Sequence, residues 1–255
     1  GMGSWNAGSK VTLVKCSSTH NGATGLTAIE GGMLSAAQCL VSGNGRVGIV
    51  AKDGRSAVSL VECTARDNGR IGVGARGQGQ LEAVRCVIVN NQQSGVVAKD
   101  AGSKVSVVDS QLNDNGRYGL SVREGGVAEV RGSELKRNQH MGVCVWSAAS
   151  SVSLWSCDAS GNGHHSLGAR DGSVIHCYGH TLTHSGPAAQ EEVPVPALPG
   201  LEMGSRQCSG LDGLDDGLPV EAVNSMLAAN AAAEPRSAQL QQSLGDGFLE
   251  SLLDP

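Results

Sequence analysis

The stretch VSLVECTARDNGRIGVGAR, residues 58–76, is followed by LEAVRCVIVNNQQSGVVAK, residues 81–99, which repeats its pattern. Aligned at a spacing of 23 residues, the two segments share a Cys, an Asn and a Gly, with apolar residues alternating around them. Self-similarity at a fixed period of this length is typical of a solenoid, in which each repeat forms one structural unit. Further copies extend from about Gly8 to about Gly186.

The Asn of the repeat recurs at steps of 23 or 24 residues, and a Gly lies four places after six of the seven copies. The Asn column is Asn21, Asn44, Asn68, Asn91, Asn115, Asn138 and Asn162. Five places before each Asn lies a small residue, and this column is Cys16, Cys39, Cys63, Cys86, Ser110, Ser133 and Cys157. We predict that both columns are structural ladders inside the protein.

Each repeat contains three short segments of alternating apolar and polar residues, which indicates three short strands. Such strands can bury their inner faces if each repeat is one turn of a coil and the turns stack as parallel strands. The Asn is expected to take the left-handed conformation of a sharp turn, and stacked Asn amides can hydrogen-bond between turns. A leucine-rich horseshoe has a similar period, but its leucine pattern is absent.

This pattern resembles the repeats of the pectate-lyase-like superfamily of right-handed parallel β-helices. Its regular form is most similar to that of carbohydrate-binding proteins and sugar hydrolases, copper-maturation proteins and ubiquitin-ligase subunits. The resemblance covers residues 8–186. It implies an all-β right-handed solenoid of seven to eight rungs with three short strands per rung, and it leaves the function open, because these relatives do different things.

The composition agrees with a thin, repetitive core, because the chain has 37 Gly and only 2% aromatic residues. No run of apolar residues is long enough to span a membrane. No secretion signal is visible at the start of the chain. Together with cysteines that we expect to be reduced, this favours an intracellular location.

The repeat also predicts which residues face outward around the third strand. Residues one and three places after the Gly are expected to face inward; the Gly, and residues two before, two after and four after it, are expected to face outward. Two before the Gly lies the first basic column, which includes Arg46, Arg70, Arg117, His140 and His164. Four after it lies the second basic column, which includes Lys52, Arg76, Lys99, Arg123 and Arg170. Small residues such as Thr27, Gly74 and Ser121 lie between them.

Two readings of this face stay open. A ladder of cations suits an elongated acidic partner, either a protein segment or a polysaccharide. Alternatively, the charges keep a repetitive surface soluble and pair with the acidic residues of the next column, such as Asp53, Asp100 and Glu124. Nucleic acid is not expected, because residues 1–186 carry a net charge of only +4 and outward aromatics for base stacking are expected to be nearly absent. The protein is expected to be a monomer.

The cysteines and histidines give no clear metal site. A column that takes Cys or Ser equally requires a small buried side chain, and no C-x-x-C occurs. His164, His165, His176, His180 and His184 crowd the last repeat, but His164 falls in the outward basic column and His176 falls near the first strand. We therefore predict no metal and no cofactor.

An active site is not predicted either. Hydrolases of the resembling superfamily use clustered aspartates, and its lyases use a basic residue beside calcium-binding acids. The acids of this chain are mostly one per repeat, and the family's catalytic motifs are absent from residues 8–186. The leading prediction is a non-catalytic recognition or scaffold domain; the alternative is a polyuronate lyase, hydrolase or epimerase.

The chain changes character near residue 187. Residues 187–255 contain 11 acidic and 2 basic residues, a net charge of −9. We divide the chain into a β-helix over residues 1–186, a Pro- and Gly-rich acidic linker over 187–217, and an acidic tail over 218–255. The tail is expected to be mostly disordered, with possible short amphipathic helices. It could lie across the basic face and compete with a ligand.

Overall fold

The computed structural model describes residues 1–179, which form a parallel β-helix without any α-helix. The strands of the coil form three sheets, which we call A, B and C. Along the chain, a rung contributes first to sheet B, then to sheet C and then to sheet A, and every strand pairs in parallel with the equivalent strand of the next rung. This arrangement confirms the predicted all-β solenoid. The described part of the chain has no helix that could cross a membrane. Our predictions for residues 187–217 and 218–255 lie outside the described residues.

The strands are short and follow one another up the coil. Sheet A consists of β1 (Met2–Trp5), β4 (Thr24–Ile29), β7 (Val47–Lys52), β10 (Ile71–Arg76), β13 (Ser94–Lys99), β15 (Tyr118–Arg123), β17 (Met141–Trp146) and β19 (His165–Ala169). Sheet B consists of β2 (Lys10–Val14), β5 (Met33–Ala37), β8 (Ala57–Val61), β11 (Gln80–Val84), β14 (Lys104–Val108), β16 (Val127–Arg131), β18 (Ser151–Trp155) and β20 (Val174–Tyr178). Sheet C consists of β3 (Ser17–Thr19), β6 (Leu40–Ser42), β9 (Thr64–Arg66) and β12 (Val87–Val89). In the later rungs, sheet C continues as single bridges through Gln111, Glu134 and Asp158.

The core is narrow and aliphatic, as the composition indicates. Residues one and three places after the repeat Gly, such as Leu120 and Val122, are fully buried. The cluster of core side chains contains Leu, Ile, Val, Ala and Cys and no aromatic residue. The five Trp and Tyr side chains of residues 1–179 lie outside this cluster: four are half-buried or exposed, and Tyr118 is 7% exposed. The expectation that outward aromatics are nearly absent was therefore wrong.

The Asn column forms a continuous hydrogen-bonded ladder. From Asn21 to Asn138, each side-chain Nδ2 donates to the Oδ1 of the Asn one rung further along, over 2.8–3.1 Å. The backbone N–H of each of these Asn residues donates to the same Oδ1 over 2.9–3.2 Å. From Asn44 to Asn162 the ladder is at most 3% exposed. The predicted ladder is therefore present, with two bonds per rung.

The left-handed conformation, however, does not belong to the ladder Asn. It belongs to the residue before it, for example Asp67 (φ 55°), Asn90 (φ 55°) and Asp114 (φ 58°), with Gly43 and Gly161 at the same place in other rungs. Our expectation for the Asn was wrong. The chain turns one residue earlier, so that the Asn side chain points inward and reaches the next rung.

The repeat Gly faces the inside of the coil, which corrects the prediction that it faces outward. A Cβ atom on Gly119 would lie 2.8 Å from the carbonyl oxygen of Gly142 and 2.9 Å from Nδ2 of Asn138. The ladder therefore requires Gly at this position. The residue before each Gly lies at the start of a sheet A strand, and its side chain is on the outer face of the sheet. This pre-glycine column is Thr24, Val47, Ile71, Ser94, Tyr118, Met141 and His165.

The Cys and Ser column is a second ladder, in which backbone N–H groups of one rung face the Sγ or Oγ atom of the next rung. The backbone N–H of Cys86 donates to Oγ of Ser110 over 2.9 Å, and that of Cys39 lies 3.5 Å from Sγ of Cys63. Each thiol or hydroxyl also donates to a carbonyl two residues earlier, as Ser110 does to Val108. Cys and Ser therefore interchange because both accept and donate here. The seven cysteines of residues 1–179 form no disulfide with one another, and burial raises the pKa of Cys86 to about 11.

Replacing Asn91 with Ala is expected to lower the free energy of unfolding by about 2–4 kcal/mol. The change removes the acceptor for the backbone N–H and side-chain amide of Asn68, both inside the coil. Urea unfolding followed by circular dichroism measures the loss. Gln92→Ala, at an exposed neighbouring position, is the control and is expected to change stability by less than about 0.5 kcal/mol. Equal stabilities for the two variants would contradict the ladder's role.

Alkylation of the folded protein is expected to modify exposed thiols and to leave buried thiols unmodified. Cys177 is exposed, whereas Cys63 and Cys86 are at most 2% exposed, and a thiol with a raised pKa has little reactive thiolate at neutral pH. Iodoacetamide treatment of the folded protein, followed by peptide mass spectrometry, should modify Cys177 and leave Cys63 and Cys86 unmodified until the protein is denatured. Comparable native rates at Cys86 and Cys177 would refute the buried ladder.

Candidate functional site

The outer face of sheet A consists of parallel columns of side chains in register. The pre-glycine column lies on one side and the second basic column on the other. Between them lies a floor column, two places after each Gly. The floor column is Thr27, Val50, Gly74, Val97, Ser121, Cys144 and Gly168. The prediction of a floor made only of small residues was incomplete, because two rungs place Val there.

The first basic column stacks along the edge of this face, just before the strands begin. The backbone N–H of Arg117 donates to the carbonyl of Gln93, that of His140 to Arg117, and that of His164 to His140, over 2.6–2.9 Å. Arg46 and Arg70 occupy the same place in earlier rungs, where the N–H of Gln93 donates to Arg70. Apart from the half-buried His140, the predicted members of this column are exposed.

The second basic column is in register across five rungs. Lys52 pairs with Arg76, Arg76 with Lys99, Lys99 with Arg123, and Arg123 with Trp146. The remaining predicted member, Arg170, follows the end of β19, where its backbone N–H donates to the carbonyl of Val145 in β17 over 3.0 Å. The structure thus brings four of the five predicted residues of this column together.

Lysines and arginines of this face differ in their ion pairs. Nζ of Lys52 lies 3.1 Å from Asp53, and Nζ of Lys99 lies 3.2 Å from Glu124, as the solvation hypothesis requires. Within residues 1–179, the arginines of both basic columns have no ion pair. Four arginines on sheets B and C and their turns are paired; these are Arg66, Arg85, Arg131 and Arg137. Arg55, in the turn before β8, has no ion pair among residues 1–179. The unpaired guanidinium groups therefore concentrate on the outer face of sheet A.

A shallow cleft of about 60 Å³ lies in this face, around β15. Its floor contains Val97 and Ser121, and its walls contain charged and aromatic side chains. The lining residues are Ile71, Gln93, Ser94, Val97, Arg117, Tyr118, Ser121, Arg123 and Trp146. Nε of Arg123 is buried and has no hydrogen-bond partner among the described residues. A buried donor without a partner costs free energy unless a ligand satisfies it.

Aromatic rings line one end of the cleft. The rings of Tyr118 and Trp146 lie 5.6 Å apart in an edge-to-face arrangement, and the ring of His140 lies 6.0 Å from Tyr118. The guanidinium of Arg117 lies 5.3 Å from the Tyr118 ring. The cleft thus combines two guanidinium groups with aromatic surface, a combination that binds an anion attached to a ring with apolar faces.

Sequence reasoning missed Tyr118 because it assigned the outward direction to the Gly rather than to the residue before it. One signal could have revealed the residue. Thr24 and Ser94 occupy the same column, and polar residues do not suit a narrow aliphatic core. A Tyr in that column is therefore better explained by an outward position.

His164 and His176 lie on different faces, as predicted, and His180 and His184 lie outside the described residues. His140 and His164 stack on sheet A with ring centroids 4.7 Å apart, whereas His176 lies in β20 on sheet B. Burial, together with the nearby His164 and Arg117, lowers the pKa of His140. Residues 1–179 contain no cluster of three or more His, Cys, Asp or Glu side chains able to hold a metal ion.

The fold and this face define a right-handed parallel β-helix. The chain matches the family described as right handed beta helix region over residues 1–162 and 72–186, and it belongs to that family. A search of curated proteins finds no match.

Solved structures of polysaccharide-modifying enzymes share the fold. The A-module of the mannuronan C-5 epimerase AlgE6 from Azotobacter vinelandii superposes with a TM-score of 0.61 and 17% identity, over 74% of this chain and 56% of that one. The periplasmic alginate epimerase AlgG gives a TM-score of 0.57 and 15% identity, over 70% of this chain and 50% of that one. The chain therefore spans about half the length of these structures. At this identity, the likeness establishes the fold alone.

Proposed function

We propose that the outer face of sheet A binds an acidic polysaccharide and that the cleft around Ser121 is its anchor. Of the two acidic partners expected from the sequence, the polysaccharide is favoured by the combination of guanidinium groups with aromatic surface. A carboxylated sugar offers both an anion and a ring with apolar faces. An acidic protein segment offers the anion without a regular sequence of rings.

The distribution of ion pairs is the observation that carries this proposal. If the basic residues only kept the coil soluble, arginines on all faces would be expected to behave alike. Instead, the cited arginines on sheets B and C have carboxylate partners, and those of the two basic columns have none among residues 1–179. Guanidinium groups bind carboxylates through paired, charge-assisted hydrogen bonds. Because they have no carboxylate partner among residues 1–179, these guanidinium groups are available to an external anion.

The spacing of the columns suits a repeating ligand. Adjacent rungs of a parallel sheet lie about 4.8 Å apart, so each column presents a functional group at a regular interval. A polymer with one carboxylate per sugar can contact several rungs at once. Simultaneous weak contacts then add to a stronger total affinity.

The relatives that share the fold support this class of ligand. Their names associate them with mannuronan and alginate, which are acidic polysaccharides. Because identity is 17% or less, the ligand and any reaction of this chain remain our proposal. The expectations of an intracellular location and of a monomer also stay predictions.

We propose a binding role rather than a catalytic one. Hydrolysis of a glycosidic bond in this superfamily needs paired carboxylic acids, and the residues that line the cleft include no Asp or Glu. The alternative of a lyase or epimerase remains testable, because either needs only a base and a proton donor beside the uronate carboxylate. Tyr118 and Arg117 line the cleft and are the side chains to test for these two roles.

The substitution Arg123→Gln is expected to weaken binding of oligogalacturonate or oligoalginate about ten- to hundredfold, because it removes a charge-assisted hydrogen bond. Isothermal titration calorimetry at fixed ionic strength measures the change. The matched control is Arg66→Gln, which removes the same charge from sheet C and should change the affinity less than about twofold. Equal losses in both variants would show that only net charge matters.

A neutral polysaccharide of similar length tests the role of the carboxylates and is expected not to bind.

Wild-type protein incubated with each polyuronate should give no unsaturated product by ultraviolet absorbance, no new reducing ends and no epimer by NMR. Formation of any of these products would replace the binding role with the enzymatic one. If no polyuronate binds but an acidic peptide does, the proposed ligand would instead be an acidic protein segment.

A further inference from the structure

The first basic column changes its chemistry towards its end. Arg46, Arg70 and Arg117 carry permanent charges, whereas the next two rungs contain His140 and His164, which we call the histidine pair. The pair continues the column, because the N–H of His140 donates to Arg117 and the N–H of His164 donates to His140. The two imidazole rings are nearly parallel, with centroids 4.7 Å apart and planes inclined by 18°.

The histidine pair adjoins the cleft. The ring of His140 lies 6.0 Å from that of Tyr118, which lines the cleft and contacts Arg117 and Trp146. A polysaccharide anchored in the cleft and extended along the column towards β19 would therefore reach this pair next.

The groups around His140 come from both neighbouring rungs. Arg117 and Tyr118 adjoin it from the rung of β15, and His164 and His165 belong to the rung of β19. Besides burial, the groups that lower the pKa of His140 are His164 and Arg117. Two stacked imidazolium ions beside an arginine repel one another unless an anion lies between or over them.

We propose that the histidine pair is a carboxylate subsite that engages the acidic polysaccharide only when its imidazoles are protonated. This inference rests on the proposed function. It adds a second subsite to the cleft and makes part of the affinity depend on pH. The arginines of the cleft hold the ligand at any physiological pH, and the histidine pair strengthens binding under mildly acidic conditions.

The direction of the effect follows from linkage. Burial and the neighbouring cations lower the pKa of His140 in the free protein, so a bound carboxylate, which stabilises the imidazolium, must raise it. Binding is then accompanied by proton uptake. A uronate carboxyl has a pKa near that of other carboxylic acids, about 3–4, and stays ionised at pH 5. Between pH 8 and pH 5, the charge of the ligand is therefore nearly constant, and histidine is the side-chain type that commonly changes its charge in this range.

The test is calorimetric titration of the full chain with size-fractionated oligogalacturonate at pH 8 and pH 5, at one ionic strength. Wild-type affinity is expected to rise about tenfold on acidification. In the double variant His140→Gln with His164→Gln, the ratio of the affinity at pH 5 to the affinity at pH 8 should fall to about one. The matched control His176→Gln, on sheet B, should retain the rise.

A second measurement distinguishes binding of the ligand by His140 from a purely structural role of this residue. Titration of the imidazole protons by NMR should show a higher pKa for His140 with bound oligogalacturonate than without it. Binding at both pH values with an unchanged wild-type affinity would overturn the subsite and leave the proposed function intact. A rise that survives in the double variant would overturn it as well. Absence of binding at either pH would overturn both.

Discussion

The Asn ladder is the interaction on which the rest of this protein depends. It runs through the interior from Asn21 to Asn162 and joins each rung to the next by an amide and a backbone hydrogen bond. Successive Asn residues of the ladder are 23 or 24 residues apart, and this regular spacing places each amide beside its successor. The repeat Gly and the left-handed residue before each Asn follow from the same requirement: one makes room for the amide, and the other turns it inward.

A rung of fixed length converts sequence position into position on a surface. Every outward side chain of sheet A has neighbours of the same column above and below, so a functional property can be built up by repetition rather than by a single inserted loop. The arginines of the two basic columns show this property most clearly, because they lack the carboxylate partners that arginines on sheets B and C have. The cleft at β15 is the place where this repetition is interrupted by aromatic rings and a buried, unpartnered guanidinium nitrogen.

The sequence predicts the coil and much of its surface, but not the cleft. The Asn, Cys and Gly columns are visible because they repeat, and the register of Lys52, Arg76, Lys99 and Arg123 follows from them. The direction of the Gly does not follow, since glycine has no side chain whose polarity could reveal it. That single error hid the pre-glycine column and with it Tyr118. The absence of ion pairs at the arginines could not be predicted either, because it depends on how long side chains extend across neighbouring rungs.

The central claim is that ligand recognition takes place on the outer face of sheet A. A crystal structure of the protein with a bound oligouronate tests it most directly. We expect a sugar chain that follows the columns of sheet A, with one carboxylate bound to Arg123 and a pyranose ring packed against Tyr118 or Trp146. A chain bound to sheet B or sheet C, with the cleft at Ser121 empty, would contradict it.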